Sequence, residues 1–352
     1  MSDLRYRAIA ALLGMLRVTG VDRALAPVLR GRGVILTMHH VRTAEPADFA
    51  PNRILEITPQ FLDDVLTLLR AEGFDIVALD EVPARLRAVP EPPRPFAVLT
   101  FDDGYRDNVE QALPVLRKHD APFTVFVTTG FADGCAPLWW LDLEEAIARQ
   151  DSVDAPLPSG RIRLPAATAD EKKRAFDTIY WALRGGPEEE LRRCISAMAA
   201  EAGIDALART RALCLDWEGL RTLASEPLAT IGAHTLTHPM LAKHGTDFVE
   251  KEIAASKLRI ERELDVEVRH LAYPVGDPGS AGPREFRIAR LMGFDTAVTT
   301  RPGMLFPDHA LHMTALPRIS MNGLFQRRGD VATLLSGLPT ALQNRGRRLN
   351  VA

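Results

Sequence analysis

FAVLTFDDG, residues 96–104, is a run of aromatic, apolar and β-branched side chains that ends in two adjacent aspartates and a glycine. An uncharged run of this kind reads as a strand covered on both faces, as in a parallel sheet. Asp102 and Asp103, side by side at its end, repel each other unless something offsets their charge. The stretch therefore sets two expectations, a buried parallel strand and a site at its carboxyl end.

Working outward, short runs of the same character recur. GVILTMHH (33–40), FDIVAL (74–79), FTVFVTT (123–129), LATIGAH (228–234), VRHLAYP (268–274), FDTAVT (294–299) and ALPRI (315–319) read as strands. Between the first two lies TPQFLDDVLTLLRAEG (58–73), with Thr58 as cap, Pro59 at the first helical position and Gly73 as terminator. Apolar spacing predicts further helices over 108–118, 248–264 and 283–292, with Lys251, Glu252, Lys257 and Glu261 on a solvated face of the second. EPPRP (91–95) is a connector. This alternation predicts an α/β chain with mostly parallel strands, about eight of them, more than a half-barrel needs.

Three segments stand apart. Residues 135–225 carry helical patterns over 170–184 and 188–202 and a proline-marked turn, DAPLPSG (154–160). They read as a mainly helical insertion in a domain spanning 33–330, joined to it through Trp139 and Trp140, which either pack the insertion onto the core or line a cleft. Residues 1–32 hold an apolar run from Ala8 to Leu16 behind a basic flank. That run is too short to span a bilayer and lacks the cleavage pattern of a signal peptide. It predicts a helical extension packed on the domain, with peripheral membrane contact through residues 1–30 as the alternative. Residues 331–352 read as a tail.

Composition narrows the classes of function. A chain of 352 residues, 46% hydrophobic and 25% charged, suits one large globular domain. A net charge of −3 with no long basic run gives no footprint for nucleic acid. No glycine-rich phosphate fingerprint follows a strand, which excludes a nicotinamide enzyme. Cys135, Cys194 and Cys214, odd in number and widely spaced, predict buried thiols in a reducing compartment, hence a cytoplasmic protein.

A parallel α/β domain presents its chemistry at the carboxyl ends of its strands. His234 ends one strand, in GAHTLTHPM (232–240), and His238 follows four residues later, on the same face if a helical turn begins there. Two imidazoles and one carboxylate complete a facial ligand set for a divalent cation and leave the other aspartate free as a general base. Neither pair is specific alone; at two strand ends of one α/β chain, together they predict a metal site. The mixed donors favour zinc, while Co²⁺ or Ni²⁺ suits the same set.

The motifs TFDDG (100–104), HTLTHP (234–239), AYPVG (272–276), GFDTAVT (293–299) and LPRI (316–319) resemble those of the polysaccharide deacetylase family of carbohydrate esterases, which share the NodB-homology domain. The resemblance covers roughly 33–134 and 226–320. It implies a distorted (β/α) barrel of about seven or eight strands and removal of an acetyl group from an N-acetylated or O-acetylated sugar in a glycan or glycolipid. Carried over, it makes Asp102 the base, Asp103, His234 and His238 the metal ligands, and the backbone N–H of Tyr273 a donor to the oxyanion.

Two departures follow from the same comparison. Where members of the family carry an arginine in the third motif this chain has Ala272, and Arg318 is the substitute candidate for orienting Asp102. No C-terminal histidine motif is visible. Met38-His39 is similar to the acid-histidine motif that one branch carries on an N-terminal strand, so His39 is the expected acid, with His309 and His312 in reserve and His40 a packing residue. An O-acetyl esterase or a C–N amidohydrolase for small amides would use the same residues. An inactive carbohydrate-binding domain would not need the free base that Asp102 provides.

Overall fold

Eight short parallel strands form the central sheet: β1 (Gly33–Met38), β2 (Asp75–Ile76), β3 (Phe96–Phe101), β4 (Phe123–Val127), β5 (Ala229–Ala233), β6 (His270–Ala272), β7 (Thr296–Val298) and β8 (Ile319–Ser320). The computed structural model describes residues 3–43, 47–90 and 94–351, so Glu91–Pro93 of the connector lie outside the described residues. The strand order is β7-β6-β5-β4-β3-β1-β8. β2 pairs with the first two residues of β3, on the side that β4 occupies further along. The segment that ends in β8 is stitched to both edges of the curl. Leu316 bridges Val298 of β7, while Ile319 pairs with Leu36 of β1. The expected distorted (β/α) barrel is the observed architecture.

Every position of β1, β3 and β4 is buried, which explains their uninterrupted apolar sequences. Period-two alternation sorts their side chains between two layers. Val34, Leu36, Met38, Ala97, Leu99 and Phe101 face the surrounding helices. Ile35, Phe96, Val98 and Phe126 fill the barrel with Leu316. Continued by two residues, the inward set of β1 reaches Thr37 and His39, and that of β3 reaches Thr100 and Asp102. The sequence pattern thus aims His39 and Asp102 at the same mouth before any contact is considered.

The helix Pro59–Ala71 begins where expected: the Thr58 hydroxyl accepts from the Phe61 N–H at 3.1 Å. Such a cap contributes about 1 kcal/mol. Phe61, Leu62, Val65, Leu66 and Leu69 bury one face of it against the sheet, each stabilising by about 1.5–3 kcal/mol relative to exposure.

Residues 135–225 comprise helices Trp139–Ala148, Ala169–Arg184, Glu188–Glu201, Ala206–Leu213 and Trp217–Ala224. Around them lies a separate apolar cluster that includes Trp139 and Trp140 and reaches down to Tyr105, Phe131 and Met240. Most of the predicted turn over 154–160 belongs to a hairpin instead. Ser152–Leu157 pairs with Gly160–Pro165, and only Pro158 and Ser159 form the loop. Val153, Ala155 and Leu157 alternate inward, and that burial overrides Pro156, while Pro158 stays in the loop. FDIVAL shortens to a two-residue strand, because β4 takes over the edge of β3. Cys194 and Cys214 are buried as expected, whereas Cys135 is exposed.

Candidate active site

Asp102 and Asp103 leave β3 at the mouth of the barrel. Asp103 and Gly104 both adopt left-handed backbone, with φ of 73° and 69°. That conformation costs a non-glycine residue about 1 kcal/mol or more. It swings Asp103 out of strand geometry, so both carboxylates serve one cleft. Both are 2% exposed.

Asp102 is paired. The Arg318 guanidinium reaches over β1 and donates from Nη1 to Oδ1 and from Nη2 to Oδ2, each at 2.7 Å. Two further donors are used, Nε on the Thr299 carbonyl at 2.9 Å and Nη1 on the Thr100 hydroxyl at 3.1 Å. Burial alone would raise the Asp102 pKa, but the Arg318 charge and its hydrogen bonds prevail and hold the carboxyl well below the usual range. The gap left by Ala272 is thus filled in space from another strand. Thr37 donates to Asp102 Oδ2 at 3.4 Å, and His39 Nε2 lies 3.9 Å from the same oxygen. Burial lowers the His39 pKa to about 4, so this imidazole is neutral at pH 7.

Asp103 is in the opposite condition. Its Oδ1 is buried and has no hydrogen-bond partner among the described residues. It faces His234 Nε2 at 3.5 Å and His238 Nε2 at 3.4 Å. Burial and the adjacent Asp102 charge push its carboxyl up to about 8. His234 donates from Nδ1 to the Ala272 carbonyl at 2.7 Å, which turns the lone pair of Nε2 towards Asp103. Burial keeps both imidazoles in the neutral, ligand-ready form. Three buried side-chain atoms of metal-ligating type facing one another could hold a cation between them. The two Asp103–histidine distances are close to the edge, about 3.3 Å, of a tetrahedron whose corners lie 2.0–2.1 Å from its centre. Asp103, His234 and His238 are the one group among the described residues with metal-site spacing.

The two histidines do not share a helical turn. His234 follows β5, and the next residues form a loop in which Thr235 and His238 have φ of 67° and 57°. Three groups hold that loop, two buried carboxylates and a half-buried guanidinium. Glu252 accepts from the Leu236 and Thr237 N–H groups at 3.0 and 2.9 Å and from the Thr237 hydroxyl at 2.8 Å. Arg192 donates to the Thr237 and His238 carbonyls at 3.1 and 2.9 Å. Glu188 accepts from the Met240 N–H at 2.6 Å and from Arg192 Nε at 2.9 Å. The solvated face assigned to Glu252 is therefore corrected: it is 4% exposed. Trp140 and Phe131 pack on the His238 ring, with centroids 4.9 and 5.8 Å away.

Residues 90–297 match the model of the family described as "Polysaccharide deacetylase". The chain belongs to the polysaccharide deacetylase family. No curated protein matches it closely enough to count. Among solved structures, a Streptococcus pyogenes deacetylase, PplD, determined in complex with acetate, is 19% identical, with a TM-score of 0.55 over 83% of this chain and 92% of that one. IcaB from Ammonifex degensii is also 19% identical, with a TM-score of 0.52 over 87% of this chain and 98% of that one. The deacetylase domain of BpsB from Bordetella bronchiseptica is 18% identical, with a TM-score of 0.50 over 82% and 95%. At such identities the likeness is one of fold.

Within this deacetylase-family barrel, one assignment needs correcting. The Tyr273 N–H donates to the Val298 carbonyl at 3.2 Å as part of the β6–β7 ladder, and so is not held out to an oxyanion. Its ring is buried, with the hydroxyl donating to the Thr314 carbonyl at 2.8 Å. His40 turns away from the cleft, stacks on Tyr105 at 3.5 Å and bonds Asp107 through Nδ1 at 2.6 Å. His309 lies in the turn Pro307–Leu311 and His312 ends it, beside Leu305, which bridges the first residue of β1, at the barrel end opposite the mouth. They are removed as acid candidates.

Proposed function

We propose that the chain hydrolyses the acetyl amide of an N-acetylated sugar in a polysaccharide, oligosaccharide or glycolipid. One observation carries the reading: an ionised, arginine-held carboxylate sits beside an unsatisfied Asp103–His234–His238 set, both at the mouth of a deacetylase-family barrel. Asp103, His234 and His238 would hold one divalent cation, zinc first and Co²⁺ or Ni²⁺ next, which when bound supplies Lewis acidity to the acyl oxygen and acidifies water.

The chain's own residues then move the protons. Asp102, kept ionised by Arg318, takes the proton of the attacking water. His39, neutral at rest and 3.9 Å from Asp102, receives that proton and passes it to the departing amine. The carbon–nitrogen bond breaks, giving acetate and a free amino sugar. Arg318 keeps Asp102 from turning onto the cation, which separates base from ligands. His39 on the inward face after β1 supports the branch of the family whose acid histidine comes from an N-terminal strand.

The test is acetate release from N-acetylated oligosaccharides by metal-loaded protein and by Asp102→Asn. The reading expects turnover that falls about 100-fold to 10,000-fold in the variant. Release from O-acetylated sugars alone would replace the amidase with an esterase, and release from neither would overturn the reading.

A further inference from the structure

Two helices, Asp3–Thr19 and Val21–Leu29, are joined at Gly20, whose φ of 70° turns the chain between them. They pack on helices Arg328–Leu335 and Leu338–Gln343. Leu13 and Ala26 are buried there, and Asp22 accepts a 2.9 Å hydrogen bond from Thr333. Their outward sides are apolar. Leu12, Met15 and Val18 follow one another at helical spacing on the first helix, and Val21, Leu25 and Val28 do so on the second. Of the thirteen large apolar side chains exposed among the described residues, these six fall in this one segment. Concentrated exposure of this kind marks an interaction surface, whereas scattered single residues do not.

Charge says what covers it. Residues 1–32 and 326–352 carry eleven arginines, no lysine and three aspartates, in a chain whose net charge is −3. The rest of the protein is correspondingly acidic, so positive charge is segregated onto this helical layer. Arg17, Arg23, Arg327, Arg328, Arg345 and Arg347 are exposed on it. A second copy docking by the same face would oppose arginine with arginine. A bilayer rich in anionic lipid has the complementary design, with phosphates for the guanidinium groups and an acyl boundary for the apolar side chains. Among the described residues no helix is long and apolar enough to cross a membrane, so this pair would lie on the surface. We propose that the exposed apolar faces of residues 8–28, rimmed by the arginines of both terminal segments, dock the chain on an anionic lipid bilayer.

Sedimentation of the full chain with phosphatidylcholine vesicles, with and without phosphatidylglycerol, tests this, alongside light scattering for oligomeric state. Binding should require phosphatidylglycerol, weaken with salt, and fall about tenfold or more in Met15→Glu/Val18→Glu/Val28→Glu and in Arg345→Glu/Arg347→Glu. The substituted side chains are solvent-facing, so melting temperature should hold; Val18→Glu alone, at an 85% exposed position, serves if the triple variant does not fold. Equal binding to neutral vesicles, no binding to either, or variants that bind like wild type would overturn the proposal. So would a wild-type dimer that the apolar-face variant dissolves, since a second copy would then be the cover.

Discussion

The two flanks of the cleft, one residue apart in sequence, are finished to different degrees. On the Asp102 flank both carboxylate oxygens are bonded to Arg318, whose own donors end on Thr299 and Thr100. On the Asp103 flank a buried oxygen faces two imidazole nitrogens and has no partner among the described residues. The first flank is satisfied by protein alone, and the second is left open for a proton or a cation. Adjacent like charges persist at a buried strand end because each is offset separately, one by a guanidinium and the other by a ligand site.

The largest effects should come from breaking the finished flank. His39→Ala should keep the cation yet lower amide turnover by about 100-fold to 10,000-fold. An activated aryl acetate, whose leaving group needs no proton, should suffer much less; equal losses on both substrates would remove His39 from the proton path. Arg318→Met leaves Asp102 buried without its counter-charge, at a cost of about 3–5 kcal/mol in urea unfolding at pH 8. Burial then raises the Asp102 pKa unopposed. The folded state holds that proton more tightly than the unfolded chain, so the stability deficit should be smaller at pH 5 than at pH 8. The acid limb of the rate profile should move to higher pH for the same reason. A variant with wild-type stability and an unshifted limb would show the pair to be incidental.

Smaller effects should sharpen the unfinished flank. Glu252→Gln removes the charge that holds the ligand loop, and metal affinity should drop about 10-fold to 100-fold, as for other groups that orient ligands. Unchanged affinity would mean that Arg192 and Glu188 suffice. The Asp103 carboxyl is pushed up to about 8 by burial and Asp102, while His234 and His238 are pushed below 6.5 by burial. Between about pH 6.5 and 8 a single proton must therefore leave as a cation binds, and affinity should rise about tenfold per pH unit before levelling. A chelator competition titration measures that slope; a slope near two would put a proton on a histidine as well.

The finished and unfinished flanks were also unequally legible. Asp102, Asp103 and His234 stand at the ends of runs whose burial pattern announces strands, so period-two alternation and the strand-end rule place them. Arg318 could be named from the sequence only as a replacement for the arginine missing at Ala272; its reach over β1 depends on a sheet order that no local pattern encodes. His238 was placed for the wrong reason, since four-residue spacing suggested a helical turn and the chain uses a loop with left-handed Thr235 and His238. Glu188, Arg192 and Glu252 were illegible as loop supports. Glu252 reads as part of a solvated face and Glu188 and Arg192 only as residues of a helical pattern; tertiary packing buries Glu188 and Glu252 and turns all three onto residues 236–240. The Tyr273 N–H was misassigned because motif position says nothing of which carbonyl the neighbouring strand offers.

Elemental analysis after dialysis, on wild type, His238→Ala and Arg318→Met together, tests the difference between the flanks most directly. The expected outcome is about one equivalent of divalent metal in wild type and in Arg318→Met, and almost none in His238→Ala, since the proposed ligands all lie on the Asp103 flank. Equal metal in wild type and His238→Ala would contradict it.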